Sequence, residues 1–358
     1  MTQSKTRITI LGSHPPHYGG ISVHVWRLRK LFEERCEVDV IDMYADATTP
    51  DEPGVHRVRG NALMRLLRAR LMLFQLKPDL FHVHVSAMRK FLLTTPVLLS
   101  GGNARRVLTI HGGKFSRNVA GFNQFQLALL KWMLGRFDHI VCVSALQQDT
   151  LVELGVDKTD TTIINAYLPP ARHENNDLFA PVIARRESEK TILLVSSPYL
   201  EHYGLLELLQ AVHQLPDVMR ERVSIVHITY LDVDQSYADA CRAATDGLDY
   251  LNYDRIDPFD MSALFALGDV FVRPTWWDGD AVSVREAAFF GNRLVATDVT
   301  TRPAGSILCQ AKSVESLAKA LESAMQDPTL GRVEFDHDAS LRALEGVYRK
   351  IAPSGKTI

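Results

Sequence analysis

Two doubly wound α/β domains are what this sequence predicts. Three observations carry the expectation. Short β-branched strands alternate with amphipathic stretches, the alternation lapses near residue 169 and restarts near residue 190, and 358 residues make about two domains at ~150 each. Strands separated by helices imply parallel sheets covered on both faces. Hydrophobic residues at 46% and charged residues at 23% are ordinary for a globular chain and exclude a disordered, collagenous or disulfide-stapled one.

The elements follow in order. Ile8–Leu11 reads as a strand ending at Gly12, and Ser22–Phe32 has helical periodicity. Val38–Ile41 is a second strand. The stretch Ala62–Leu76 is helical, Leu80–His84 and Arg106–Ile110 are strands, Phe122–Leu134 is a helix and His139–Val143 a strand. Residues 1–168 are therefore expected to form an N-terminal domain. Pro169–Lys190, rich in Pro, Arg, Glu and Asn and without periodicity, reads as a linker. Then come the strand Thr191–Val195, helix Leu205–Gln214, strand Val223–Thr229, helix Met261–Leu267 and strand Val270–Arg273. The helix Val284–Phe290, strand Leu294–Ala296 and helix Ser313–Met325 complete a C-terminal domain over 191–335. A last helix at Ala339–Ile351, within 336–358, is expected to pack back on the N-terminal domain.

Net charge is −2, from 40 Lys+Arg against 42 Asp+Glu, so no nucleic-acid partner is expected. The total hides an asymmetry. Residues 1–168 hold 21 basic and 14 acidic residues, a net of +7, and the rest hold 19 and 28, a net of −9. Such halves suggest different partners. The four cysteines, Cys36, Cys142, Cys241 and Cys309, form no C-x-x-C pair, which argues against structural zinc and fits a reducing cytosol. No signal-peptide core and no run of ~18 apolar residues is present, so the expected location is cytoplasmic.

In doubly wound sheets ligands bind beyond the carboxyl ends of the strands. Three strand-end loops stand out. The first, Gly12 to Ile21, contains Gly19-Gly20 before a helix. Those glycines either only make the turn or let the backbone approach an anion at the helix start. It is neither a dinucleotide fingerprint nor a P-loop. The second ends Thr109–Ile110 with His111-Gly112-Gly113-Lys114, where the histidine either touches a ligand or bonds the backbone. His82 and His84 alternate along one strand, as a metal pair or as buried structural histidines. The third is Arg273-Pro274-Thr275-Trp276-Trp277-Asp278-Gly279-Asp280-Ala281-Val282-Ser283-Val284-Arg285-Glu286. Its aspartates either cap the next helix or serve a ligand.

Taken together the motifs resemble the retaining glycosyltransferases of family 4, which have the GT-B fold: two Rossmann-like domains facing a cleft. The resemblance rests on Gly19-Gly20-Ile21, Phe81-His82-Val83-His84, Leu108-Thr109-Ile110-His111-Gly112, Ile140-Val141-Cys142-Val143-Ser144, Gly268-Asp269-Val270-Phe271-Val272, the acid pair Asp278 and Glu286, and Leu294-Val295-Ala296-Thr297-Asp298-Val299. The stretch from Arg273 to Glu286 is similar to bacterial surface-polysaccharide transferases. The resemblance implies a nucleotide-diphosphate sugar donor, a glycan or lipid-linked acceptor, and no cofactor or metal. It assigns catalytic roles to His111, Asp278 and Glu286, with Glu286 also accepting from the ribose hydroxyls. Gly19, Gly20, Asp280, Ala281, Val282 and Ser283 would meet the donor, with Ser197, Arg273 and Arg285 as further donor contacts. Acceptor-side candidates are His14, His17, Lys114 and Arg117.

Two departures matter. Asp278 stands where Glu is commoner. The loop after Ile192–Val195, Ser196 to Gly204, lacks the family's Arg and Lys for the diphosphate. Losing two charge-assisted contacts to a leaving group costs several kcal/mol unless they are replaced. Candidate replacements are Arg273, Arg285, Arg302, Lys114 and Arg117. In the helix Ala62–Leu76, Leu63, Leu67, Leu71 and Phe74 share a stripe, expected to cover the sheet. Its arginines, Arg65, Arg68 and Arg70, alternatively suit an anionic membrane surface. Two other functions stand beside transfer: a sugar-nucleotide epimerase of the same architecture, and a catalytically silent partner subunit.

Overall fold

The strand Leu80–Val85 is buried at every position, as a strand covered on both faces must be. Around it, in a computed structural model describing residues 4–16, 19–99, 102–112, 115–230, 233–278 and 281–358, an all-parallel seven-stranded sheet forms. Its order is Val55–Arg57, Glu37–Asp42, Arg7–Leu11, Leu80–Val85, Arg105–Ile110, His139–Cys142 and Thr161–Ile163. Ile10 stands opposite His82, and Val83 opposite Leu108. The chain runs outward from Arg7–Leu11 on one side, then returns to lay Leu80–Val85 on the other. The switch point lies between those two strands, and their carboxyl ends open a crevice there.

The division of the chain is into one unit up to Leu168 that also takes up Asp338–Ile358, and a second unit of Pro169–His337. In the first unit one face of the sheet is covered by Gly20–Phe32, which buries Val25, Leu28 and Phe32, and by Ala339–Ile351, which buries Leu344, Val347 and Tyr348. The other face carries Phe91, Leu130 and Met133 from the helices Met88–Leu98 and Gln124–Leu134. Each such large apolar side chain contributes roughly 1.5–3 kcal/mol by burial. The last residues finish the unit: Lys356–Thr357 pairs parallel with Ser4–Lys5, and Arg35 bonds Glu345.

The helix Ala62–Leu76 starts where Asn61 accepts a hydrogen bond from the Met64 N–H at 2.9 Å. Its packing corrects the expected stripe. Leu63, Leu67, Leu71 and Phe74 face solvent at 56–66% exposure, while Ala69 and Leu73 are buried with Leu66, Met72 and Leu76 beside them. The helix is apolar on two adjacent faces, and the Leu66–Ala69–Leu73 face is the one that fits the sheet.

The second unit repeats the plan. Its six parallel strands run Tyr250–Asp254, Val223–Thr229, Thr191–Ser196, Val270–Arg273, Arg293–Thr297 and Ile307–Cys309. The switch point falls between Thr191–Ser196 and Val270–Arg273. The stretch 169–190 is not a linker. It holds the helix Ala180–Glu187, whose Val182 packs with Phe179 into the core beside Ile192 and Leu194. Pro181 reads as a breaker in sequence, yet in the first turn of a helix its missing N–H costs nothing.

Candidate active site

The first sheet's switch point carries a group of histidines. His111 follows the strand Arg105–Ile110, and its Nε2 lies 2.9 Å from Nδ1 of His84 on the neighbouring strand. His24 arrives from the helix Gly20–Phe32, one turn after the paired glycines. Its Nδ1–H donates to the Ala166 carbonyl at 2.8 Å, and its ring centroid stands 4.8 Å from that of His111. Beneath them His82 is wholly buried and fully bonded, to the Tyr348 hydroxyl at 2.5 Å and the Thr109 hydroxyl at 2.7 Å. His82 is therefore structural, and His84 belongs to the site.

Burial drives these imidazoles towards the neutral form. His24 is lowered to about 4 and His82 to about 3, while His84 and His111 fall well below the ordinary histidine value. At neutral pH the group presents uncharged donors and acceptors. The ring nitrogens of His24, His84 and His111 come within 4.8 Å of one another, near enough to consider a metal ion. Two of the nitrogens already bond each other, and among the described residues no carboxylate joins the set.

Gly112 has to be glycine: a Cβ there would stand 2.6 Å from the Ser86 carbonyl oxygen. Gly19 and Gly20 differ. A Cβ at either meets nothing within 4 Å, and Gly19 is in extended backbone that any residue adopts. Gly19 is held by Ser22, whose hydroxyl accepts from its N–H at 2.8 Å. Beside His84 a 640 Å³ cavity opens, with Met43, Leu66, Phe91 and Leu93 as apolar walls and Arg65 and Lys90 as its cations. His14, expected on the acceptor side, is only 1% exposed and donates to its own loop at the Pro15 carbonyl. Arg117 lines a separate 440 Å³ cavity with Arg89 and Gln126. His17, Lys114 and Asp280 lie outside the described residues.

The second sheet's switch point is built from charge. Asp278 accepts from Arg273 Nε at 2.9 Å and Nη2 at 3.2 Å, and from Arg302 Nη1 at 2.9 Å. Arg302 also donates to the Thr297 carbonyl, and Arg273 to the Ser196 carbonyl. Burial raises the Asp278 carboxyl, but Arg273 and then Arg302 outweigh it and hold the group below the usual carboxylate range. Burial opposes the Arg273 charge too, and Asp278 restores it. The guanidinium of Arg273 lies 5.4 Å over the Tyr203 ring.

Two loops meet here because Gly204 allows it. Its φ is +72°, and a Cβ would fall 2.1 Å from the Pro274 carbonyl oxygen. Trp276 N–H donates to the His202 carbonyl, and the exposed Trp277 ring stacks on His202 at 4.6 Å. Ser197 departs from expectation. It is 1% exposed, and its hydroxyl bonds His227 at 3.1 Å, so its side chain serves the interior. The helix Val282–Phe289 carries half-buried Ser283, Arg285 and Glu286, with Ala281 as its cap. Its first turn leaves the N–H groups of Val282 and Ser283 without partners in the helix. The Arg285 guanidinium lies 5.5 Å over Phe335.

Residues 18–172 match the sequence model of Glycosyltransferase Family 4. Three solved structures cover nearly the whole chain. Sucrose-phosphate synthase from Thermosynechococcus elongatus superposes with a TM-score of 0.67 at 16% identity, over 97% of this chain and 99% of that one. HepE of Anabaena in complex with UDP-glucose gives 0.65 at 14%, over 97% and 98%. A putative UDP-N-acetylglucosamine 2-epimerase from Listeria monocytogenes gives 0.66 at 14%, over 97% of each. The fold is GT-B, and the resemblance is to Glycosyltransferase Family 4. No curated protein matches the chain in sequence.

Within the GT-B frame, both units place their motif residues at a sheet's switch point: His84 and His111 in one, Arg273 and Asp278 in the other. The motifs do not single out His24, Tyr203 or the His202–Trp277 stack. A histidine in the second turn after Gly19-Gly20 was the available signal for His24. The other three became visible only once Gly204 had drawn its loop against Pro274.

Proposed function

We propose that this chain is a retaining glycosyltransferase. It moves a sugar from a nucleotide-diphosphate donor to a glycan or lipid-linked acceptor, in bacterial polysaccharide or glycoconjugate biosynthesis. The observation that carries the reading is the furnishing of both switch points with the residues the motifs single out. Gly19 and Gly20 support it, since neither packing nor backbone conformation asks for glycine there. Open space beside a helix start suits a diphosphate. The complex of HepE with UDP-glucose supports the donor class.

The chemistry needs hydrogen-bond donors aimed at a departing diphosphate and at an oxocarbenium-like carbon, more than it needs a strong base. Neutral His111 acts by hydrogen bonding to the transferring sugar, steered by His84. Glu286 accepts from the ribose hydroxyls. The N–H groups of Val282 and Ser283 meet the phosphates. No metal enters this scheme.

The lipid-linked acceptor draws support from the first unit. The exposed stripe of Leu63, Leu67, Leu71 and Phe74 stands beside the apolar cavity, with Leu93 at 77% exposure. Arg65 and Arg68 are partly committed to the carbonyls of Gly60, Met43 and Arg59, so leucines rather than arginines dominate this face. Contact with an anionic membrane surface through it fits a peripheral, cytoplasmic enzyme.

A thermal-shift screen of nucleotide sugars tests the donor, because a ligand of the native state raises the melting temperature. Transfer with the donor found, followed by NMR of the product's anomeric configuration, tests retention. Inversion would overturn the retaining claim. The similarity to the Listeria epimerase motivates a second reading. Conversion of the donor to its epimer without any acceptor would establish it and displace transfer.

A further inference from the structure

We propose that Arg273 and Arg302, clasped by Asp278, form an anion-binding site that takes the donor's diphosphate in place of the cations missing after the strand Thr191–Ser196. The inference rests on the transferase reading for the ligand's identity, not for the site itself.

Three observations converge. The first is position. Arg273 ends its strand at the second sheet's switch point, and Arg302 follows the adjacent strand Arg293–Thr297. The loop facing them, 197–204, contains no Lys or Arg. The second is charge. Among the described residues, two guanidinium groups share one carboxylate, a formal +1 over these three side chains, while Arg273, Asp278 and Arg302 are only 12%, 9% and 3% exposed there. A buried net charge is costly unless a counter-ion arrives. The third is spare donor capacity. A guanidinium has five N–H groups. Arg273 spends two on Asp278 and one on the Ser196 carbonyl, and Tyr230 also bonds it. At least one donor therefore remains on the more exposed arginine.

The division of labour follows. Arg273 contacts the phosphate. Arg302 is a positioning residue, since it absorbs half of the Asp278 charge and keeps that carboxylate from cancelling Arg273. Of the other candidates, Arg285 lies over Phe335. Asp278, expected to work at the donor sugar, becomes the internal counter-ion of a phosphate receptor.

The test is calorimetric titration of the full chain with inorganic pyrophosphate, with a melting curve for each variant. Arg273→Gln is expected to weaken binding at least tenfold, and Arg273→Lys to recover part of the loss. Asp278→Asn is expected to bind pyrophosphate as well as or better than the unchanged protein, because the local charge rises. Should Arg273→Gln unfold, the comparison of Arg273→Lys with Asp278→Asn decides. Unchanged affinity in Arg273→Gln, or an equal loss in a folded Asp278→Asn, overturns the proposal. Parallel transfer assays separate the two claims. Arginine-dependent pyrophosphate binding with no transfer to any acceptor leaves this site standing and removes the transferase reading. Transfer with arginine-independent binding does the reverse.

Discussion

At the carboxyl edge of the first sheet the polar groups are imidazoles, buried and neutral. At the same edge of the second they are two guanidinium groups around one carboxylate. The two sheets share a topology and a switch point, so the backbone sets where each site lies but not its electrostatics. The halves' net charges run the other way: the basic half holds the neutral site, and the acidic half holds the cationic cluster. Net charge is a property of surfaces. A site's charge is decided by the few groups its burial selects.

Mild acid separates the two regions most. A histidine whose folded pKa lies below its unfolded 6.5 binds fewer protons folded than unfolded, so stability is complete above pH 6.5 and falls with pH down to the folded value. His24 and His82, at about 4 and about 3, each cost about 1.4 kcal/mol per pH unit in that window, or roughly 4 kcal/mol together at pH 5. In the second unit His227 is lowered to about 4, and the Asp278 clasp titrates below the carboxylate range. Calorimetric scans at pH 7.5 and pH 5 are expected to show the first unit melting earlier at pH 5. Equal shifts in both units would remove the contrast.

Asp278→Ala attacks the other side. It leaves two buried arginines without their shared anion, and the second unit is expected to lose about 3 kcal/mol in urea unfolding. A loss below about 1 kcal/mol would mean that water already reaches the clasp. Tyr348→Phe returns to the imidazoles. It removes the partner of His82 Nδ1, at a cost of about 1–3 kcal/mol confined to the first unit. The smallest effect is expected from Leu67→Gln with Leu71→Gln, below about 0.5 kcal/mol by the same unfolding measurement. That pair should still reduce flotation with anionic liposomes several-fold. Unimpaired flotation would discard the membrane face.

Much of the architecture is legible in the sequence because central parallel strands are apolar without interruption, as the run from Ile192 to Val195 shows. Short edge strands such as Val55–Arg57 and Ile307–Cys309 carry no such signal in three residues. The helix Ala180–Glu187 is hidden by its proline, and Ala62–Leu76 by having two apolar faces. Site residues at strand ends or in the loops just beyond them, His111, Arg273 and Asp278, can be read directly. His24 needs a helix folded back, Arg302 is one candidate cation among several until the adjacent strand sets it beside Asp278, and Ser197 misleads because only packing turns its hydroxyl to His227.

Residues 338–358 bring Tyr348 to His82 and Lys356 to Ser4, yet they follow the whole of the second unit. A ribosome therefore finishes the second unit before it supplies the last helix of the first. Until then the Phe32 side of the first sheet is covered by the helix Gly20–Phe32 but lacks Leu344, Val347 and Tyr348, an exposure that chaperones are suited to shield. A chain truncated after residue 337 would carry its damage not at the severed end but in the half made first.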